Sequence, residues 1–383
     1  MAYNNSTNIS DIHMYDASCQ STGNNDPAVM LSIRINFVAI LAFIVIGLVG
    51  NTLSMLVFSS REMQGVSSNV YLLTLAASDS FYLISVFLSH TLTTIRCWYF
   101  IDSELDIVNR NDVSCILLQY LCDVFSNNST CVILAFTVER AVAVFKPMRY
   151  KELCTVARAR FACVLIFIVI AASIAPYHVQ FMGVLVGYGV CTILWEHEAI
   201  FYVFYVVEMC IFRLVPVAII AVINAFIIHR VTSLARTKRQ WTAGAGRGSQ
   251  ASAAAAPKEK NHQSSQPSAR KTHAEDRNLQ LTIILILVSS SYVLAYIPVL
   301  MHFVMMKMYV SATGIVSREA LTIVGNYSKA LYVAGFAINF FLYTVSGRVF
   351  RDQLKKIICG CCGGDLYSGI TMHSVANPGR HNQ

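Results

Sequence analysis

Charge is what this sequence is short of. Only 13% of its 383 residues are Asp, Glu, Lys or Arg, about half the ~25% of an ordinary soluble domain. With 55% apolar residues, that shortage excludes an ordinary soluble fold. Acids are the scarcer sign, 21 against 29 basic residues. Nucleophile–base pairs and metal-ligand spacings are lacking too; the isolated Glu196-His197-Glu198 reads as a solvated loop, so neither an enzyme nor a metal site is expected. No internal repeat is found, which argues against a secondary transporter built from equivalent halves. The first thirty residues hold no apolar core, so no cleavable signal is expected.

What is there is a set of seven long apolar runs, near 35–58, 69–95, 113–138, 161–181, 199–228, 279–304 and 319–345. About 20 helical residues cross a bilayer, so each is long enough to span one. The fold expected is an all-α membrane protein, a seven-helix bundle over 34–346. The formal charge of +8 does not point to nucleic acid, because it is sorted by side. Lys146, Arg149, Lys151, Arg158, Arg160 and the run from Arg230 through Arg277 share one side with Arg348, Arg351, Lys355 and Lys356. The other side is acidic, with Asp11, Asp16, Asp26, Asp102, Glu104, Asp106, Asp112, Glu196 and Glu198. The positive-inside rule then places the N-terminus outside, as expected of a multi-pass plasma-membrane protein.

On that topology residues 1–33 form an outside tail in which Asn4, Asn5 and Asn8 begin glycosylation sequons. Asn127, Asn128 and Asn326 match the same pattern inside apolar runs, where a buried polar contact is expected instead. Between the fourth and fifth runs, Val184-Leu185-Val186 and Val190-Cys191-Thr192-Ile193 flank Gly187-Tyr188-Gly189, the pattern of a β-hairpin in an outside loop. Residues 235–276 turn to Ala, Gly, Ser, Gln and Lys and are expected to be a disordered inside loop. Residues 347–358 place Val349, Phe350, Leu354 and Ile357 on one face of a short amphipathic eighth helix, suited to an anionic leaflet. Cys359, Cys361 and Cys362 follow as candidate palmitoylation sites at the start of a 359–383 tail.

The stretch from Cys115 to Pro147 organises the rest. It buries Asp123, Asn127, Asn128 and Ser129 along an apolar run and closes on Glu139-Arg140 and Lys146-Pro147. A charge at mid-membrane costs roughly 2.5–3.5 kcal/mol even on the lenient scale, so the Glu–Arg pair must sit at an interface or face protein. With Asn51, Asp79, Pro176, Cys191, Pro216, Pro298, Asn339 and Tyr343 in order, one or two per run, this pattern resembles the rhodopsin-like G-protein-coupled receptors. The likeness covers about Arg34 to Cys362, and its branch resembles thyrotropin-releasing-hormone and invertebrate FMRFamide receptors.

That resemblance implies a disulfide between Cys115 and Cys191; Cys19 and Cys97 are a leftover pair on the same side. It implies a switch built from Asn51, Asp79, Ser129, Tyr296, Pro298, Asn339 and Tyr343. Asp79, Asn51, Ser129 and Asn339 match a hydrated cluster that can hold sodium, although Gly335 and Phe125 replace further ligands; a sodium site and a water network both stay open. It implies coupling to a heterotrimeric G protein through Glu139, Arg140, Pro147 and Met148, with arrestin and receptor kinases as further partners. Four positions depart from the pattern: Ala141, Asn224, Tyr296 and Phe340. They keep alive the alternative of a receptor-fold binder that does not signal.

The resemblance implies an extracellular neuropeptide as the ligand; Cys122 in the amine-binding acid's place argues against monoamines, and no lysine stands at the retinal position near Gly335. Its pocket is assigned to Gln119, Asp123, Glu208, Arg213, His302 and Lys329. Four of them, Asp123, Glu208, Arg213 and Lys329, carry charge that is too costly to leave unpaired. Either they neutralise one another, or Asp123 or Glu208 takes the arginine of an Arg-Phe-amide ending. Glu208 and Arg213, five residues apart, are not expected to share a helix face.

Overall fold

The computed structural model describes residues 26–99, 106–185, 190–194, 198–249, 266–310 and 316–362. The sequons at Asn4, Asn5 and Asn8, and Cys19, lie outside the described residues, as does the side chain of Cys97. In chain order the helices are α1 (Pro27–Phe58), α2 (Ser67–Val86), α3 (Leu92–Tyr99), α4 (Asp112–Phe145), α5 (Pro147–Leu153) and α6 (Val156–Phe181). Then come α7 (Glu198–Met209), α8 (Val215–Ser249), α9 (Gln266–Val310), α10 (Arg318–Ala337), α11 (Asn339–Ser346) and α12 (Arg348–Cys362). Among the described residues six segments are long and apolar enough to cross a membrane, and α10 with α11, bent by 46°, passes the same test as a pair, giving seven when it is taken as one span.

Helix starts follow local capping chemistry. Asp26 accepts from the Ala28 N–H at 2.8 Å with Pro27 in the first turn, and Asn111 accepts from Ser114 N–H at 2.9 Å. Thr155 and Ser317 do the same for α6 and α10. Each cap satisfies an N–H that has no partner within its own helix. Because of them α1 begins eight residues ahead of the apolar run. Helix also reaches to Ser249 and from Gln266, farther into the expected disordered loop than its composition implied; only 250–265 lie outside the description there. Ala, Arg, Lys and Gln are good helix formers whether or not they are buried.

α4 runs through the middle of the bundle and packs on α2, α6, α8 and α9, while α1 closes the ring between α2 and α10. Glycine decides how near α1 comes to its neighbours. A Cβ at Gly50 would stand 2.8 Å from Phe340 Cβ, and one at Gly47 would meet Leu83 and Ala337. Outward faces stay apolar, as at Val38, Val45, Phe161, Val164 and Ile168. That is the pattern of a bundle solvated by lipid.

Two π turns break the α-helical register, Phe87–Thr91 between α2 and α3 and Cys210–Leu214 between α7 and α8. Their closing bonds run five residues back, Leu92 N–H to Phe87 O and Val215 N–H to Cys210 O. A π turn adds a residue to the helix and re-aims the side chains beyond it. Strands β1 (Met182–Leu185) and β2 (Val190–Ile193) pair antiparallel, with Val184 opposite Cys191. β1 starts two residues earlier than the sequence pattern implied, and the expected glycine turn lies outside the described residues. At the other end Phe350 of α12 is buried against Phe58 and Tyr343, and Val349, Leu354 and Ile357 pack on the same core.

Candidate functional site

At the end of the bundle that carries β1 and β2, Cys115 and Cys191 form the disulfide, 5.4 Å apart at Cα. Two side chains hold the strands beside it. Asn109 accepts from Cys191 N–H at 2.6 Å and Asp112 from Val184 N–H at 2.7 Å. Asp106, expected among solvated acids, is instead buried and accepts from Thr93 and Asn109 at 2.8 and 2.9 Å. It orders the loop, because an acid out of water needs donors.

Below the strands lies a cavity of about 330 Å³. Gln119, Asp123, Arg213 and Lys329 line it, with His178, Tyr205 and Tyr332. Two expected pocket residues do not. His302 packs against Gly325, where an added Cβ would stand 2.8 Å from its Nε2. Glu208 is buried beyond Arg213, away from the lining.

Charges here are paired within the protein. Arg213 Nη2 donates to Asp123 Oδ1 at 2.9 Å and to Glu208 Oε1 at 3.5 Å, and its Nε donates to Asn127 Oδ1 at 2.8 Å. Asn127 also donates to Glu208. Asp123 Oδ2 accepts from the Tyr177 hydroxyl at 3.0 Å and faces His178 Nε2 at 3.2 Å. The expectation that helix geometry keeps Glu208 and Arg213 apart is corrected by the π turn at Cys210–Leu214, which brings residues five apart onto one face. Asp123 and Glu208 thus each have Arg213 as a cationic neighbour within the protein.

Midway down, Asp79 accepts from Ser129 Oγ and Asn339 Nδ2, both at 2.7 Å. Asn51 stands one step away, donating to Phe336 O at 3.0 Å. A continuous helix would give that carbonyl to the N–H of Phe340. A side chain inserted into the ladder bends a helix without proline, which accounts for the bend between α10 and α11 where Phe340 stands. Each Asp79 oxygen accepts one hydrogen bond, and Phe125 and Gly335 supply no side-chain oxygen, so a hydrogen-bonded cluster accounts for the residues present. Tyr296 is buried and stacks with Tyr292 at 6.4 Å, and Tyr292 bonds Thr130. Pro298 lies inside α9, and its carbonyl accepts from Ser328 Oγ at 2.9 Å. Asn224 donates to Ser289 Oγ at 2.6 Å, tying α8 to α9.

At the opposite end Arg140 is fully buried. It donates to Glu139 at 2.8 Å, to the Tyr150 hydroxyl at 2.6 Å and to Ser68. Glu139 accepts from Ser67 and Ser68 at 2.9 and 2.5 Å. Pro147 opens α5, and Met148 beside it is the most solvent-exposed large apolar side chain described, at 89%. Tyr343 is buried between Phe58 and Phe350. α12 is tied back by Glu62, which accepts from Lys356 at 2.8 Å and from Gln353; the Lys356 ammonium holds that carboxyl below its ordinary range. Cys359 is an exposed free thiol, and the side chains of Cys361 and Cys362 lie outside the description.

Several partners escaped the sequence reading: Ser67, Ser68, Tyr150, Tyr177, His178, Asn109 and Tyr292. A weak signal existed for two of them, since Tyr177-His178 follows Pro176 at the end of an apolar run. Asn127, Asn128 and Asn326 are all buried and bonded, the last two to Ser78 and Ser32.

The sequence is similar to the thyrotropin-releasing hormone receptor of Bos taurus, 26% identical over 216 residues, covering 52% of this chain and 50% of that one. The human receptor of that name matches equally, at 26% over 216 residues. The growth hormone secretagogue receptor type 1 of Mustela putorius furo is 30% identical over 138 residues, 36% of this chain and 35% of its own. The chain thus spans about half the length, or less, of the curated relatives it matches. The sequence pattern described as "7 transmembrane receptor (rhodopsin family)" matches residues 50–343. This chain belongs to the rhodopsin family of seven-transmembrane receptors.

Proposed function

We propose that this chain binds an extracellular peptide in the cavity below Cys115–Cys191 and activates heterotrimeric G proteins from the end that carries Arg140. One observation carries the reading. A single bundle joins a polar cavity at one end to a buried, multiply bonded Glu139–Arg140 pair at the other. In this reading that hydrogen-bonded arrangement of the buried arginine is one state of a two-state element that a ligand biases. Relatives named for a releasing hormone and for a secretagogue support a hormone-type ligand.

In this reading the disulfide end faces outward, which agrees with oxidising chemistry there and with basic residues gathered at the other end. Asn4, Asn5 and Asn8 are then glycan acceptors, Cys359, Cys361 and Cys362 lipid-anchor sites in the last turn of α12, and arrestin and receptor kinases share the Arg140 end with the G protein. The test is a screen of secreted peptides, amidated and free, on cells expressing the chain, reading calcium and cAMP together. Dose-dependent responses absent from untransfected cells are expected. Saturable binding without either response would favour a non-signalling binder, the reading that Ala141, Tyr296 and Phe340 keep alive.

A further inference from the structure

Three charged side chains face the cavity, and two of them are spoken for. Asp123 receives Arg213, Tyr177 and His178, while Arg213 is bracketed by Asp123, Glu208 and Asn127. The third is Lys329 on α10, half-buried in the wall beside Tyr332. Among the described residues no carboxylate lies within ion-pair distance of it and no acceptor takes its three N–H donors. A ligand that supplies an acceptor to this ammonium gains a charge-assisted hydrogen bond inside the cavity. A cationic ligand group finds the reverse: its natural partner Asp123 already accepts three protein contacts, and Lys329 and Arg213 both repel it.

We infer that Lys329 is the charged anchor of the cavity and that the ligand presents a carboxylate to it. This rests on the peptide-receptor reading and goes beyond it by assigning the sign of charge on the ligand. The carboxylate has two sources in a peptide, the free C-terminus or an Asp or Glu side chain. Either one makes charge-assisted hydrogen bonds with an ammonium.

The experiment uses a library of secreted peptides, each made as the free acid, as the C-terminal amide, and with Asp and Glu replaced by Asn and Gln. It is run on the full-length wild type, Lys329→Gln and Lys329→Arg, with surface expression measured for each. For activating peptides, losing the relevant carboxylate should lower potency about 10- to 100-fold on the wild type and change little on Lys329→Gln. Lys329→Arg should retain most of the potency, and the amide and Asn/Gln arms identify the source. Potency that ignores every carboxylate overturns the assignment, as does an unchanged response of Lys329→Gln at normal surface expression.

If no peptide activates the wild type, it is the peptide reading that fails. Lys329 is then judged by thermal stabilisation of the purified receptor with benzoate, phenylacetate and succinate against their amides. Stabilisation by the acids alone, lost in Lys329→Gln, upholds the anchor; equal behaviour of acids and amides overturns it.

Discussion

Arg213 and Glu208 touch at 3.5 Å although five residues separate them, because the helix between them takes a π turn over Cys210–Leu214. In a regular α-helix residues three and four apart share a face, and those five apart do not. The extra residue lets one guanidinium bridge Glu208, on its own span, to Asp123 on α4. Removing it leaves buried Glu208 with no cationic partner and Asp123 with only Tyr177 and His178. Arg213→Met should cost about 3–5 kcal/mol and sharply lower surface expression, with partial recovery when Glu208→Gln is added. Flow cytometry of an epitope-tagged receptor checks this, and normal expression of the single variant would contradict it.

Arg140 is expected to carry coupling more than folding. Arg140→Ala should leave surface expression and peptide binding largely intact while abolishing G-protein activation. Tyr150→Phe removes one acceptor from the guanidinium, a loss on the order of 1 kcal/mol. Ligand-independent signalling should then rise several-fold. Guanine-nucleotide exchange on membranes reads both; normal signalling by Arg140→Ala would remove the assignment.

Cys115 and Cys191 are separated by 76 positions, and a loop of that length is worth roughly 4–5 kcal/mol in the entropic account of a disulfide. Either Ala substitution should reduce surface expression and ligand binding. The double variant should be no worse than the singles, since one bond is lost in each case. Additive losses would mean that the thiols act separately.

Gly50 has no room for a side chain. Gly50→Val drives a branched group into Phe340, and overpacking of this kind costs typically 1–3 kcal/mol. The midpoint of thermal unfolding in detergent should fall by several degrees. An unchanged midpoint would show that α1 and α11 part without cost.

The sequence by itself determined the class of the molecule and most of its landmarks. Shortage of charge, seven apolar runs and basic residues on one side depend only on transfer free energies, which are local to each segment. Asp79, Ser129 and Asn339 were legible as a cluster only through the resemblance to rhodopsin-like receptors, although burial by itself requires partners for them. A polar group in an apolar run must find a partner, and few candidates share its depth. The identity of partners was not legible. Ser67 and Ser68, like Tyr150, lie in stretches apart from Glu139 and Arg140, and nothing local marks them.

Tertiary structure alone decided the register and the direction of each pocket side chain. A π turn shifts the helix by one residue, enough to join Glu208 with Arg213 against the α-helical rule. His302 turns to the space left by Gly325 instead of the cavity. The bend at Ile338 survives without proline because Asn51, 285 residues before Phe336, takes its carbonyl. Such outcomes depend on which distant surfaces meet, and helical periodicity in one segment holds no information about them.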